Sequence, residues 1–398
     1  MNYIISMDLL MNRPSLIKGL ESITILTNDM NKIYAMSQDK YRDSINKIKA
    51  DRAIRRVTEC YEKVFFAPES DFETLLKNIL EEGRADGNTI ITNNVILWSI
   101  AHTYGIKIQK YSGDTDYTGI QYLSLKFDDN GYNKQLDEML SKPTETYCEN
   151  EYLAVYDADT EKIHSLYRVK NGFLTPISLT PQSIKNSYDT IKPKNIEQAA
   201  LFNALFDTSL TILLTVGQFG TGKSFCLHNY ALEMLEQGEI TKIVYVPNNS
   251  FNENSREVGT LPGELFDKEL IHLGVWLDLI GYDRLKRLIE EEKIEIAPVS
   301  IIRGRSFNNA IILVNEAQNL TDKHIKLLIG RCGEKTRIFF DGDMKQADSD
   351  VFRDRSGLRL LTSLRKSEMF SKIFGMIKLN TIERSLTAQA SAYLDSVE

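Results

Sequence analysis

The stretch TILLTVGQFGTGKSFCLHNYALEML, residues 211–235, decides how the C-terminal half of the chain folds. An apolar run, TILLTV, leads into the pattern G-x-x-x-x-G-K-S at Gly217–Ser224, and a helix-forming run leads out. Glycines at this spacing let consecutive backbone N–H groups turn inward around phosphate oxygens, and the helix behind them adds its positive N-terminal end. Lys223 would reach the β- and γ-phosphates, and the Ser224 hydroxyl would ligate Mg²⁺. Gln218, Phe219, Gly220, Thr221, Gly222 and Phe225 complete the cradle. A turn that merely ended in Lys-Ser would not need a strand before it and a helix after it. The cradle says that a nucleotide binds, and the use of that nucleotide must come from the rest of the chain.

The second element expected of such a site is an acid at the end of another buried strand. AIILVNEAQN, residues 310–319, supplies the apolar run followed by Asn315 and Glu316. The first position should help hold the Mg²⁺ water shell and the second should polarise the attacking water. Asn315 is an amide: it hydrogen-bonds a metal-bound water but brings no negative charge. Glu316 is the candidate base. A third element follows in TRIFFDGDMKQAD, residues 336–348, where Gly342, Asp343 and Gln346 form G-D-x-x-Q. In this order, Asp343 and Gln346 are candidates for sensing the γ-phosphate.

Around these motifs the apolar runs TILLTV, KIVYVPN, AIILVNE, TRIFFDGD and GMIKLN alternate with helical stretches over residues 191–398. That alternation predicts an α/β domain with a parallel sheet between helices. Residues 1–112 read as a smaller α/β unit, with strands in YIISMDLL, SITIL and TIIT and a long basic helix over DKYRDSINKIKADRAIRRVTECYEKV. Residues 113–190 read as a linker and a small β-rich region built on EYLAVYDAD, KIHSLYRVK and GFLTPISL. The length of 398 residues fits two or three domains. A net charge of −7 excludes a globally basic nucleic-acid-binding surface but leaves room for a local basic channel. Cys60, Cys148, Cys226 and Cys332 are far apart, with no CxxC pair, so reduced thiols are expected rather than disulfides or zinc. No window resembles a membrane span and the start lacks the pattern of a signal peptide, so a cytoplasmic location is expected.

The cradle, NEAQN and GDMKQAD in this order resemble the PhoH-like ATPases, which are related to superfamily-one helicases. VGTLPGEL (258–265) is similar to the family's G-x-L-P-G segment, SIIRGRSFNNAIILVNEAQNLT (300–321) to its R-G-R-T run leading into D-E-A-Q-N-x-T, and IGRCGEKTRIFFDGDMKQAD to its T-R-x-G…G-D-x-x-Q-x-D segment. The resemblance covers about residues 190–396. It implies a Mg²⁺-dependent ATPase, an RNA helicase or remodelling motor, working on single-stranded RNA. The family's site resembles one formed between neighbours in a homo-oligomeric ring, a hexamer by resemblance. KPKNIEQAALFNAL resembles the N-x-E-Q entry motif, which implies that Gln198 reads the adenine edge and favours ATP. LNTIERSLTAQ puts Arg384 where the family has an arginine after an acidic residue, and that implies a finger for the γ-phosphoryl charge. Arg331, in IGRCG, is a further phosphate sensor to consider, and Arg303 and Arg305 are the residues best placed for RNA by the family motif. Two other basic runs, Lys40–Arg56 and Arg353–Arg365, read either as solvated helix faces or as RNA contacts.

The N-terminal region resembles a PIN domain, a metal-dependent ribonuclease fold. IISMDLLMNRPSLIKGLESITIL is similar to its opening strand, with the first acid at Asp8, and the resemblance implies Asp71, at the start of the middle helix, as a further metal ligand. The pattern T-N-D appears as Thr92-Asn93-Asn94, and the remaining acid falls near Asn31 or Lys32, with Asp29 close by. PIN cleavage needs three or four converging carboxylates. With two of them replaced, a degenerate RNA-binding or assembly role is expected in place of ribonuclease activity. The competing function for the whole chain is a nucleotide-dependent assembly or binding protein that does not hydrolyse ATP, with Asn315 as its mark. A small-molecule kinase is a third option, for which no acceptor motif stands out.

Overall fold

The computed structural model describes residues 2–383 apart from residues 13, 39–44, 84–86, 93, 110–116, 145, 188, 248–272 and 345–355. The chain divides into two compact units, Met1–Gly113 and Asp114–Glu398.

In the first unit every strand pairing is parallel, and the sheet runs β3-β2-β1-β4-β5. The strands are β1 (Asn2–Ile5), β2 (Ser22–Leu26), β3 (Val64–Ala67), β4 (Asn88–Ile91) and β5 (Lys107–Gln109). The helices are α1 (Met7–Asn12), α2 (Thr27–Ser37), α3 (Ile45–Glu59), α4 (Phe72–Glu81) and α5 (Val95–Thr103). The two-residue period of a strand sends Ile5 into one core with Ala50, Ala53 and Val57, and Ile4 into another with Leu75, Leu76 and Ile79. The long basic helix expected through Val64 instead stops at Glu59, and Val64–Ala67 forms an edge strand. A Val-Phe-Phe run fits a half-covered pleated surface better than a helix face.

The second unit holds two main sheets. A six-stranded parallel sheet runs β14-β13-β15-β16-β12-β17, and a four-stranded sheet runs β6-β7-β8-β9. The smaller sheet consists of β6 (Ile120–Leu125), β7 (Tyr152–Asp157), β8 (Ile163–Lys170) and β9 (Phe173–Ile177). Helix α6 (Lys134–Leu140) lies between β6 and β7 in the chain, and these two strands pair in parallel. β6 falls in the stretch that reads as linker, because only Ile120 and Leu125 at its two ends are buried. Two short strands, β10 (Ile184–Lys185) and β11 (Thr190–Ile191), lead into α7 (Ile196–Phe206).

The larger sheet consists of β12 (Ile212–Gly217), β13 (Lys242–Val246), β14 (Ile294–Ile296), β15 (Ala310–Val314), β16 (Arg337–Gly342) and β17 (Phe374–Leu379). All five strands read in this region are present. β14, with three residues, is an additional edge strand too short for a periodic signal. Leu213 packs toward α7 and toward α8 (Lys223–Glu236), whereas Ile212, Leu214 and Val216 pack on the opposite side with Ile325, Leu328, Leu358 and Leu361. Helices on both faces leave the C-terminal ends of the strands as the open edge, where ligands of α/β folds bind. Tyr152, Ala154 and Leu166 of the smaller sheet share the core of α7 and α8.

Arg337 fixes α7 against the sheet. Its guanidinium donates to the carbonyls of Ala204 (3.3 Å), Leu205 (2.7 Å), Asp207 (3.2 Å) and Leu210 (2.9 Å). Ala204 and Leu205 lie in the last turn of α7, where a helix leaves carbonyls without internal partners, and Asp207 and Leu210 belong to the turn that follows. One buried cation thus ties the helix that carries Gln198 to the strand that ends in Asp341-Gly342.

Candidate nucleotide site

The cradle runs from the end of β12 to the start of α8. Gly217 and Gly222 are there for steric reasons. At Gly217 the backbone has φ 153°, and a Cβ would lie 2.2 Å from the Leu379 carbonyl oxygen. Gly222 caps α8 in the left-handed region at φ 89°, with the Gln198 amide 3.1 Å from where its Cβ would sit. The Lys223 ammonium folds back over the loop and donates to the carbonyls of Gly217 (2.6 Å) and Gln218 (2.9 Å). Thr221 is fully buried and its hydroxyl donates to the Gln218 carbonyl at 3.0 Å.

Lys223, Ser224, Gln198, Asn315, Glu316, Gln318, Asp341, Asp343 and Glu383 line one cleft of about 490 Å³. Phe219 and Phe225 line it too, and both are exposed. Sequence elements spread over nearly two hundred positions therefore meet in one place. The residues fit a nucleotide with its divalent cation: a loop with glycine at the two positions where a Cβ would crowd its neighbours, one ammonium, one hydroxyl and a set of oxygen donors suited to a hard ion.

The contact that the sequence motifs did not pick out is made by Asp341, the first acid of D-G-D. The Ser224 hydroxyl donates to Asp341 Oδ2 at 2.5 Å, and the Glu316 backbone N–H donates to Asp341 Oδ1 at 2.8 Å. Burial pushes the Asp341 carboxyl above its ordinary range, while Ser224, the Glu316 amide and the Lys223 charge pull the other way. Asn315, the position expected to face the metal, turns its amide to donate to the Tyr245 hydroxyl at 3.2 Å. The signal for Asp341 was a charge inside the otherwise apolar strand IFF. It is visible in the sequence but masked there by the neighbouring G-D motif.

Glu316 has φ 48° and ψ 49°, a left-handed conformation uncommon for a residue with a side chain. Such backbone strain is found where the surroundings hold a functional group in position. Gln318 joins the second and third motifs, because its Oε1 accepts from the Asp343 N–H at 3.1 Å. Gln198 sits at the cleft wall with its amide engaged on both sides. Its Nε2 donates to the Thr221 carbonyl at 3.2 Å and its Oε1 accepts from the Lys194 N–H at 3.0 Å.

Beneath the cradle, His228 donates from Nδ1 to the Ser224 carbonyl at 2.7 Å and packs 4.6 Å from the Trp276 ring. Burial lowers the His228 pKa to about 4, opposed by the bond to Ser224, so the ring is neutral near pH 7. From the far side, the Glu383 N–H donates to the Gly220 carbonyl at 3.0 Å, and Asn195 donates to the Glu383 carboxylate at 2.7 Å.

Other expected residues lie elsewhere. Arg331 donates to the Arg305 carbonyl at 3.2 Å and does not line the cleft. Arg305 pairs with Glu295 and covers the Phe307 ring at 4.8 Å. Arg384, Gln346 and the VGTLPGEL segment lie outside the described residues, as do Lys40, Arg42, Arg353 and Arg355. In the first unit, Asp71 caps α4, accepting from the Thr74 N–H (2.8 Å) and the Ser70 hydroxyl (2.7 Å), and these bonds hold its carboxyl below the usual range. Asn94 caps α5 through the Ile96 N–H at 2.9 Å. Asp29 is mostly buried, 3.7 Å from the Lys32 ammonium. Asp8 falls in α1, just past β1, and its side chain lies outside the described residues. Among the described residues, no three His, Cys, Asp or Glu side chains gather into a stand-alone metal site, and no helix is long and apolar enough to cross a membrane.

Comparison with known proteins agrees with the motif order. The family model described as PhoH-like protein matches residues 190–393, about half of the chain. A PhoH-like protein of Mycobacterium tuberculosis is 30% identical over 185 residues, covering 46% of this chain and 51% of that protein. Protein PhoH2 of Bacillus subtilis is 30% identical over 218 residues, covering 51% of this chain and 47% of its own length. Protein PhoH of Escherichia coli is 28% identical over 172 residues, 41% and 48% of the two chains. The chain spans about half the length of the curated relatives it matches. The matched segment contains the cradle, the NEAQN turn and the G-D turn that form the cleft, and the chain belongs to the family of PhoH-like proteins.

Proposed function

We propose that the second unit binds ATP with Mg²⁺ and hydrolyses it, and that the energy is used on single-stranded RNA. The observation that carries the reading is the convergence of Lys223, Ser224, Asp341 and Glu316 on one cleft. Lys223 trades the carbonyls of Gly217 and Gln218 for phosphate oxygens, and the loop N–H groups cradle the rest. When bound, the Mg²⁺ ion neutralises charge on the β- and γ-phosphates. Glu316 orients and deprotonates the attacking water. Asp343, tied to Gln318, reports the state of the γ-phosphate to the neighbouring turn. Gln198 closes the cleft at the base side, and Arg384 acts on the γ-phosphoryl charge, in trans within a homo-oligomeric ring.

RNA is the substrate class that the resemblance favours. Arg303 and Arg305 and the basic face of α3 are the contacts proposed for it, by attraction to the backbone phosphates. The first unit is proposed to be PIN-like and to bind RNA without cutting it. The commitment of Asp71 and Asn94 to helix caps supports that role. The test is phosphate release from ATP with and without a single-stranded RNA, for the wild type and Lys223→Ala. RNA-stimulated release that the substitution abolishes supports the reading.

The second reading is a nucleotide-dependent binding or assembly protein without turnover, and Asn315 is the observation that favours it. Under that reading the wild type releases no phosphate while retaining ATP affinity.

A further inference from the structure

Asn315 brings no negative charge to the site, and the sheet register points to a neighbouring residue that does. β15 and β16 are neighbours, with Val314 opposite Phe340. The next residues along, Asn315 and Asp341, therefore stand side by side at the C-terminal edge of the sheet. β16 is also the strand that pairs directly with the cradle strand, with Thr215 opposite Asp341. An acid at 341 is thus one strand closer to the phosphate loop than an acid at 315.

Side-chain contacts follow the same logic. Of the two residues, Asp341 receives the Ser224 hydroxyl, at 2.5 Å, whereas the Asn315 amide is spent on Tyr245. In P-loop enzymes the cradle hydroxyl and one strand-end carboxylate share the Mg²⁺ ion. Asp341 is nearly fully buried, and the hydrogen bonds it accepts from the Ser224 hydroxyl and the Glu316 N–H both come from neutral groups. A buried carboxylate is costly unless a cation offsets its charge. Lys223 contributes at a distance, and a divalent ion shared with Ser224 would do so directly.

We propose that Asp341, not Asn315, is the carboxylate that joins Ser224 in holding the nucleotide's Mg²⁺. In this chain the acid stands at the end of β16 and the amide at the end of β15, so a negative charge remains within the site. Glu316 gains a second constraint from the same residue: its backbone N–H is anchored on Asp341 Oδ1, which fixes the turn that presents the proposed base. The inference rests on the ATP-binding reading and concerns which residue meets the cation.

The test does not use turnover. Calorimetry measures the affinity of a non-hydrolysable ATP analogue with Mg²⁺ and with EDTA, giving the enhancement due to the metal. Asp341→Asn keeps the shape and the acceptor for Glu316 and is expected to cut that enhancement by roughly 10–100-fold, with the affinity in EDTA measured for each variant as its own reference. The exchanged pair Asn315→Asp/Asp341→Asn is expected to regain most of it. Mn²⁺ binding read by electron paramagnetic resonance should follow the same order. Asn315→Ala, which leaves the Asp341 contacts in place, serves if Asp341 variants fail to fold: loss of the enhancement there would assign the ion to Asn315 and overturn the proposal. An unchanged enhancement in folded Asp341→Asn would overturn it too. A wild type that binds the analogue equally with and without Mg²⁺ would overturn it while sparing nucleotide binding. No binding under either condition would remove both.

Discussion

Gln318 accepts the Asp343 backbone N–H at 3.1 Å, so the turn after β15 is joined to the turn after β16 by one side chain. Both residues line the candidate cleft, and Gln318 is itself mostly buried. This bond is the expected route by which movement of one turn would reach the other. Gln318→Ala removes the acceptor and leaves a buried N–H unsatisfied, which costs about 1–3 kcal/mol. Denaturant unfolding should report that loss, and phosphate release should fall more than ATP affinity does. A variant as stable and active as the wild type would show that the two turns are independent.

Gly222 allows a second check. A side chain there would have to adopt φ 89° next to the Gln198 amide. Gly222→Ala is expected to weaken ATP binding and to destabilise the fold by about 1–3 kcal/mol. Thermal unfolding with and without ATP separates the two effects: the variant should melt lower and gain little from added nucleotide.

His228 predicts a pH dependence. Its folded pKa, about 4, lies below the unfolded value near 6.5. Above pH 6.5 both states are neutral and the residue contributes no pH dependence. As pH falls from 6.5 toward 4, the unfolded chain takes up the proton first, so the folded state loses stability progressively, by up to roughly 3 kcal/mol. Below pH 4 the loss levels off. Denaturant titrations at pH 7.0 and 4.5 should differ by much of that amount, and His228→Phe should narrow the difference. Equal sensitivity in the variant would assign the effect to other groups.

Glu197 suggests a longer-range link. Its carboxylate is buried and accepts from the Asn380 N–H (2.7 Å), the Thr381 N–H (3.0 Å) and the Tyr122 hydroxyl (2.9 Å). It thereby joins the small sheet to the segment after β17, which reaches the cradle through Glu383 and Gly220. Glu197→Ala leaves these donors without their acceptor and is expected to destabilise the protein by about 1–3 kcal/mol. Tyr122→Phe, which removes one donor only, should cost about 1 kcal/mol. Equal effects from both substitutions would contradict the hub.

The fold of the second unit was legible because its strands are apolar on both faces and its motifs recur at strand ends. Ala310–Val314 is buried at every position, so no alternation hides it. β3 and β14 were not legible: each has three or four residues and sits at a sheet edge. In the site, the cradle was readable because glycines, lysine and serine act within eight consecutive residues. Asp341 showed only as a charge in an apolar strand, since its contact with Ser224 depends on which strands lie side by side. That order, β15-β16-β12, is a property of topology and not of local sequence. Asp71 shows the reverse case, in which a residue read as a candidate metal ligand serves as a helix cap, and Asn94, which stands where the pattern has an acid, caps the next helix.

The most direct measurement is phosphate release from Mg²⁺-ATP by the wild type and by Glu316→Gln, with ATP affinity determined on the same samples. The account predicts steady release by the wild type and a fall of about 10²–10⁴-fold in the variant at nearly unchanged affinity. A wild type that binds ATP and releases no phosphate, or a variant that turns over at the wild-type rate, would contradict it.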